Sequence, residues 1–242
     1  MSILRRLRDA GGLAILIDPD RVTAAEAREL GVRAAEEGSC AVLIGTSFGV
    51  SEHTGRIARE MRSAALGIPI IQFPATASDL VPDVDAVLLL SLISGRNPQY
   101  LIEEHVRAVP FFARNPQVEA ISTAYILIDG GRVTSVEAVS QTRPLPADKP
   151  ELVRAHVSAG SLIGMTATYL DAGSGAHARV SPSLVRAARD AASGLLIVGG
   201  GITDGDGVRA ARDAGADVVV VGSVFERDGS RAMRDLAVAA RA

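Results

Sequence analysis

A carboxylate stands beside a small-residue turn in the stretch YLDAGSGA, residues 169–176. An apolar run precedes it, so we expect Asp171 at a strand end, two residues before a turn that starts at Gly173. Backbone N–H groups of such turns bind anions, and the hydroxyls of Tyr169 and Ser174 add donors. The carboxylate can accept a hydrogen bond from a ligand hydroxyl. The stretch therefore predicts a site for a ligand that carries a phosphate and a nearby hydroxyl.

Two later strand ends are also rich in glycine: VGGGITDGDG at 198–207 and VVVGSVFE at 219–226. In parallel barrels, the loops after the seventh and eighth strands often form a phosphate site from backbone N–H groups. Glycine lets the backbone approach a phosphate closely, which makes Gly200, Gly201 and Gly222 candidate contacts, with Ser223 beside them. The alternative is that these glycines only form tight turns.

Acidic and hydroxyl residues follow the first two apolar runs, in IDPDR at 17–21 and IGTSFG at 44–49. Mg²⁺ prefers carboxylate and other hard oxygen ligands, and often takes one or two carboxylates plus substrate phosphates. Asp18 is the first candidate ligand and Asp20 a second one, while Thr46 and Ser47 offer hydroxyls to the same ion. The alternative for Asp18 is a turn or helix-capping acid.

Eight short apolar runs would position these residues. Because the runs are continuous rather than alternating, they are typical of parallel strands that are buried on both faces. Helical patterns separate most of them, which predicts an α/β fold, a (β/α)8 TIM barrel or a doubly wound open sheet. The segment PATASDLVPDVD after the third run is too short and too rich in proline for a full helix. Residues 129–151 read as a surface excursion.

Composition narrows the class of protein. A chain of 242 residues with 48% apolar residues suits one domain spanning 1–242. The net charge of −3 gives no basic field for nucleic acid. The single cysteine, Cys40, excludes an intramolecular disulfide and a cysteine-cluster metal site. No apolar run approaches the ~20 residues of a membrane span, so we expect a cytoplasmic protein without an integral membrane segment.

Taken together, the motifs resemble the geranylgeranylglyceryl phosphate synthase family, which includes the bacterial heptaprenylglyceryl phosphate synthases. The resemblance runs through nearly the whole chain: LIDPDR, LIGTSFGVSE, FPATASD, LLLSLISGRNPQYLIEEHV, AYILIDGG, YLDAGSGA, VGGGI and GADVVVVGS. SLISGRNPQYLI and YLDAGSGA are its most specific parts, since generic barrel requirements explain neither.

The resemblance implies a modified TIM barrel with one helix replaced by a loop, and a homo-oligomer. It implies Mg²⁺-dependent transfer of an allylic prenyl group from its diphosphate to the C3 hydroxyl of sn-glycerol 1-phosphate. Asp18 and Ser47 would bind the metal, Asp171 would act as the base, and Tyr100 would contact the prenyl tail. The acceptor would meet the following residues: Tyr169, Asp171, Gly173, Ser174, Gly200, Gly201, Gly222 and Ser223.

Three departures from the family pattern bear on the acceptor. Asp171 replaces the usual Glu, Ala75-Thr76 replaces a Gly-Asn pair, and Ser122 to Ala124 replace a segment with Pro and Gly. A related prenyltransferase uses 3-phosphoglycerate and a shorter donor, and that acceptor stays open. Two further alternatives are a metal-independent isomerase or lyase on a phosphate-binding barrel, and a family member that binds its ligand without turnover.

Overall fold

The computed structural model describes residues 1–46, 52–228 and 232–241. Within these ranges eight parallel strands close into a barrel in chain order, with β8 pairing back to β1. The closed sheet decides between the two predicted architectures in favour of the (β/α)8 barrel. The strands are β1 (Gly12–Ile17), β2 (Ala41–Ile44), β3 (Ile70–Gln72), β4 (Ala86–Leu92), β5 (Glu119–Leu127), β6 (Ala167–Asp171), β7 (Leu195–Gly199) and β8 (Val218–Val221).

Helices cover the outside of the barrel. The α-helices are α1 (Ile3–Ala10), α2 (Ala24–Glu36), α3 (Glu52–Ser63), α4 (Glu104–Arg114), α5 (Ser135–Ser140), α6 (Pro150–Leu162), α7 (Pro182–Ala191), α8 (Gly205–Asp213), α9 (Ser223–Asp228) and α10 (Met233–Arg241). Leu7 of α1 packs into the cluster of side chains that fills the barrel interior. None of these described helices combines the length and the apolar character that a membrane span needs.

Strand alternation sorts the side chains into two layers, because successive residues of a strand point to opposite faces. Ile15 and Ile17 of β1 pack outward against the helices. Ala14 belongs to the interior cluster instead. In β6 the interior positions include Tyr169, and Asp171, two residues later, follows the same alternation. The continuous apolar runs thus supply both layers at once.

The third strand is not followed by an α-helix. Only a 3-10 turn, Ala77–Asp79, lies between β3 and β4, which confirms the expected loss of one barrel helix. The buried amide of Gln72 holds this loop from inside: its Nε2 donates to the Asp79 carbonyl at 2.7 Å, and its Oε1 accepts from the Val81 N–H at 3.0 Å. The loop is therefore fastened to the strand it follows.

Local structure is well defined at two further places. Thr23 caps α2 in a reciprocal capping box with Glu26. The irregular stretch 129–151 is more ordered than expected. It contains α5, and Leu145 forms a parallel bridge with Ile128 at the end of β5. Because Val136 of α5 packs against the barrel interior cluster, tertiary contacts rather than helix propensity stabilise this short helix.

Candidate active site

Asp171 ends β6 with its side chain inside the barrel mouth. The residue is 6% exposed, and its carboxylate accepts two hydrogen bonds from within the chain. The hydroxyl of Tyr125 donates to Oδ2 at 2.6 Å, and the Gly173 N–H donates to Oδ1 at 2.8 Å. Each oxygen keeps a lone pair for a further donor. The proposed base is therefore held in a defined orientation.

Tyr125 is the site residue that the sequence patterns did not single out. It lies in β5 and pairs with Tyr169 of β6 in the sheet register. Tyr125 is 4% exposed and Tyr169 is 1% exposed. The available signal was weak: a phenol inside the apolar run AYILID must find a polar partner when buried. That partner, Asp171, lies on the neighbouring strand β6, and only the pairing of β5 with β6 brings the two together.

Protonation at this site follows from burial. Loss of water raises the pKa of the Asp171 carboxyl above its ordinary value, and the hydrogen bonds from Tyr125 and Gly173 counteract that rise. Burial, and then the charge of Asp171, raises the pKa of Tyr125 well above its ordinary value. Tyr125 thus remains a phenol donor, and Asp171 is a stronger base than a solvated carboxylate.

Tyr125 belongs to a cluster of three aromatic rings beside this carboxylate. Phe73 stacks on Tyr169 at a centroid distance of 5.2 Å, and Tyr125 meets both rings edge to face, at 5.7 Å from Phe73 and 5.6 Å from Tyr169. Edge-to-face and stacked pairs are favourable aromatic arrangements. The cluster restrains both phenols, one of which donates to Asp171.

Glycines make the space that the carboxylate occupies. A Cβ on Gly200, whose φ is +78°, would lie 2.4 Å from Asp171 Oδ1 and 2.6 Å from the Gly173 nitrogen. A Cβ on Gly199 would lie 2.5 Å from the Tyr169 hydroxyl oxygen. The glycine-rich end of β7 is therefore required for contact between two strands, and not only for a turn.

A polar cavity opens above these residues. Most of the predicted acceptor contacts line it. The lining residues from those predictions are Tyr169, Asp171, Ser174, Gly200, Gly201, Gly222 and Ser223. The structure thus brings the ends of β6, β7 and β8 together around one space.

Gly173 has a different place from the one expected. Its N–H donates to Asp171 Oδ1, and a Cβ on it would meet Thr134 at 2.6 Å. Gly173 is therefore a support for the carboxylate and for the wall of the turn. Gly175, which the sequence reasoning did not name individually, lines the cavity in its place.

Asp18 lines the same cavity just after the end of β1. Its side chain is 22% exposed, with Arg21 Nε 3.4 Å from Oδ2 and the Asp20 N–H donating to Oδ1 at 3.0 Å. Burial raises its pKa, while the Asp20 N–H and the Thr46 hydroxyl act to lower it. The metal ligand Ser47 predicted next to it lies outside the described residues.

An apolar groove adjoins the polar cavity. Thr46 and Phe73 line both spaces, so the two meet at the mouth of β2 and β3. Tyr100 lies on the groove wall, and so does His105, whose Nε2 is 2.7 Å from the Leu90 carbonyl. This hydrogen bond ties α4 to β4. Val136 and Val139 of α5 also line the groove.

The fold and the site define a TIM-barrel enzyme in which a small-ligand cavity opens into an apolar groove. A family model for the PcrB family matches residues 6–240. Because the match spans nearly the whole chain, the chain belongs to that family.

Relatives and solved structures agree with this membership. The chain is 40% identical to a geranylgeranylglyceryl phosphate synthase of Spirosoma linguale, covering 94% of this chain and 92% of the relative. It is 35% identical to the synthase of Korarchaeum cryptofilum over 98% of both chains. The family and the enzyme class expected from the sequence, a prenyltransferase, are thereby confirmed.

A solved structure supports the fold independently. The barrel matches (S)-3-O-geranylgeranylglyceryl phosphate synthase from Thermoplasma acidophilum, crystallised with its substrate sn-glycerol-1-phosphate. The match has a TM-score of 0.90 and 24% identity, covering 99% of this chain and 98% of the other. The modified TIM barrel is therefore the family fold.

Proposed function

We propose that this protein joins an allylic prenyl diphosphate to the C3 hydroxyl of sn-glycerol 1-phosphate through an ether bond. The observation that carries the proposal is the shared boundary of the two spaces at Thr46 and Phe73. A polar, glycine-rich cavity suits a small phosphorylated alcohol, and an apolar groove suits a hydrocarbon tail. Their junction is where the reacting carbon and oxygen would meet.

In the proposed reaction, the acceptor's C3 oxygen attacks C1 of the prenyl group. The bond between C1 and the diphosphate oxygen breaks, and the diphosphate leaves with that electron pair. Asp171 takes the hydroxyl proton, which its elevated pKa favours. Binding of the phosphate end near Ser174, Gly201 and Ser223 would fix the hydroxyl near C1 and lower the entropic part of the activation barrier.

Mg²⁺ is part of the proposal, and the residues present suit an ion that is held by one protein carboxylate together with substrate phosphates. Asp18 offers a half-buried carboxylate beside the cavity, with the Thr46 hydroxyl next to it. Within the described ranges, no group of three His, Cys, Asp or Glu side chains could hold a metal by itself. One protein carboxylate plus substrate phosphates is a common magnesium arrangement. When bound, the ion would stabilise the charge of the departing diphosphate.

The alternative acceptor is 3-phosphoglycerate. The one feature in its favour is that the side chain of Asp171 is shorter than the Glu that is usual in the family. A carboxylate-bearing acceptor usually requires a cationic partner. Among the described residues that line the polar cavity there is no Lys, Arg or His, while Asp18 and Asp171 add negative charge. This balance favours the neutral glycerol backbone of sn-glycerol 1-phosphate.

The decisive experiment incubates the enzyme with Mg²⁺, each acceptor and prenyl diphosphates of several lengths, from the shortest allylic donors to heptaprenyl diphosphate. We expect an acid-stable ether product with sn-glycerol 1-phosphate, identified by mass spectrometry. If a product forms with 3-phosphoglycerate and not with sn-glycerol 1-phosphate, then 3-phosphoglycerate is the acceptor. If no donor and acceptor pair gives an ether but the protein still binds phosphate esters, it is a family member that binds its ligand without turnover.

We also propose that the protein assembles as a homo-oligomer and acts in the cytoplasm. An exposed apolar stripe on one side of α4 supports the assembly: Ile102 just before the helix is 54% exposed, and Val106 and Val109 are 65% and 62% exposed. Exposed apolar patches of this kind mark contact surfaces. Light scattering should give more than one chain per particle, and Val106→Asp should lower that number.

A further inference from the structure

The apolar groove lies beside the β3–β4 loop, which stands where a barrel helix would otherwise follow β3. This loop forms one wall, where Pro74, Ala75 and Ala77 line the groove. Its other wall includes Tyr100 and α4. A 3-10 turn of three residues is a weak element by itself, so the groove width depends on what fastens this loop to the opposite wall.

Glu104 is the side chain that spans the two walls. It begins α4, lines the groove and is 9% exposed. Its Oε2 accepts from the Ala77 N–H at 2.7 Å. Its Oε1 accepts from Gln99 Nε2 at 3.2 Å and from Arg107 Nη1 at 3.0 Å. One carboxylate therefore joins the loop to a continuous helical stretch, the π-helix Gln99–Glu103 and the α4 that follows it.

The placement of this charge requires an explanation. A carboxylate beside a hydrocarbon groove is costly unless its lone pairs meet donors. Here the Ala77 N–H comes from the loop, and the other two donors come from the helical stretch that carries Glu104 itself. The charge-assisted bond to the Ala77 N–H, the one that crosses the groove, is short. Because Ala77 is only two residues after Ala75, movement of this bond moves the groove wall directly.

We propose that Glu104 sets the width of the donor groove and thereby determines which prenyl tails the enzyme accepts. The inference rests on the proposed function, since it assumes that the groove binds the tail. Glu104 would act through the position of the Ala75–Ala77 wall and would touch neither the reacting carbon nor the acceptor. It is a positioning residue for donor specificity, separate from the wall contact assigned to Tyr100.

The test compares Glu104→Ala with Glu104→Gln. Glutamine keeps a carbonyl oxygen for the Ala77 N–H, so the wall and the tail preference should stay within about twofold of wild type. Alanine releases the wall. The ratio of affinities between the best and the worst tail length should then fall by about tenfold, the scale on which apolar pockets discriminate tails.

Binding is measured by calorimetry with prenyl thiolodiphosphates of the same series of lengths, whose bridging sulfur slows transfer. Amide exchange at Ala77 provides a second readout and should accelerate in Glu104→Ala but not in Glu104→Gln. The Michaelis constant for the acceptor should be unchanged in both variants. If Glu104→Ala does not fold, Glu104→Asp, one methylene shorter, replaces it and should flatten the tail preference in the same direction.

The outcomes separate the two proposals. Length-dependent analogue binding by a wild type that forms no ether would end the proposed reaction and leave the role of Glu104 standing. The same length profile in wild type and Glu104→Ala, with only a lower melting temperature, would overturn the role of Glu104 and leave the reaction standing. Absence of analogue binding by the wild type would overturn both.

Discussion

The Tyr125 hydroxyl donates to Asp171 Oδ2 across two neighbouring strands at 2.6 Å. Both groups are buried at the barrel mouth, where a charged hydrogen bond is worth more than in water. The Gly173 N–H holds the other oxygen. The carboxylate that we propose as the base is therefore oriented by one group on each side, and only one of them is a side chain.

Tyr125→Phe should slow turnover without emptying the acceptor site. Loss of the phenol removes a hydrogen bond to a buried carboxylate, and we expect kcat to fall by about tenfold. The same bond lowers the pKa of Asp171, so its loss should raise that pKa further. The acid limb of the pH–rate profile should then move to higher pH.

Tyr100→Phe is the matched control for this variant, because it removes a phenol in the donor groove and leaves Asp171 untouched. Its acid limb should coincide with that of wild type. A Tyr125→Phe profile that also coincides with wild type would remove Tyr125 from the orientation of the base.

Asp171→Asn should separate activity from stability. Removing the base should cost about 10²–10⁴ in kcat. A carboxyl whose pKa is raised by folding is most favourable below its unfolded pKa, and that contribution is lost as pH rises through the folded pKa. Above that range the folded chain holds a buried charge that asparagine lacks.

The free energy of unfolding should therefore be higher in Asp171→Asn than in wild type at about pH 8, by about 1 kcal/mol. The difference should shrink as the pH falls towards the unfolded pKa of the carboxyl. Thermal or urea unfolding across this pH range measures it. A gain that stays the same at every pH would show that relief of the buried charge is not its cause.

Asp171 and Tyr125 differ in how far the sequence alone predicts their place in the site. Asp171 was predictable because a strand end beside a Gly-Ser-Gly turn places a carboxylate at the mouth of a parallel barrel. Tyr125 lies inside an apolar run, and only the sheet register, which pairs it with Tyr169, gives it a partner. Gly173 was placed correctly along the chain, but which way its N–H points depends on that same packing.

The groove shows a similar limit. The missing helix was predictable from PATASDLVPDVD, because proline and a short span exclude a full helix. The wall made by α5 was not, since Val136 and Val139 belong to a stretch with little periodicity and become ordered by contact. The fastening through Glu104 joins residues 27 positions apart, a distance over which a local pattern carries no signal.

Gly200→Ala should damage the acceptor site through steric overlap. The added Cβ would lie 2.4 Å from Asp171 Oδ1 and 2.6 Å from the backbone nitrogen of Gly173, so the carboxylate or the turn must move. We expect the Michaelis constant for sn-glycerol 1-phosphate to rise by at least about tenfold. The positive φ at this position adds a stability cost of about 1–3 kcal/mol.

Gly164→Ala separates strain from site damage. Gly164 has a φ of +89°, and a Cβ there would meet nothing within 4 Å. Gly164→Ala should therefore lower the free energy of unfolding about as much as Gly200→Ala does, while the Michaelis constant for sn-glycerol 1-phosphate stays that of wild type. Steady-state kinetics and thermal unfolding of both variants give the comparison, and an equal change of Michaelis constant in the two would disprove the steric explanation.

Asp18→Asn should weaken the use of magnesium more than it weakens the fold. Asparagine keeps the size of the side chain and the turn with Asp20 but removes the charge, so we expect the Mg²⁺ concentration for half-maximal rate to rise by about tenfold. Asp20→Asn tests the second candidate ligand: because Asp20 is exposed and does not line the cavity, its magnesium dependence should stay close to that of wild type. Mg²⁺ titration of the rate, repeated after removal of metal with a chelator, measures the effect. Equal magnesium dependence in Asp18→Asn and wild type would exclude Asp18 as a ligand and direct the search to the end of β2.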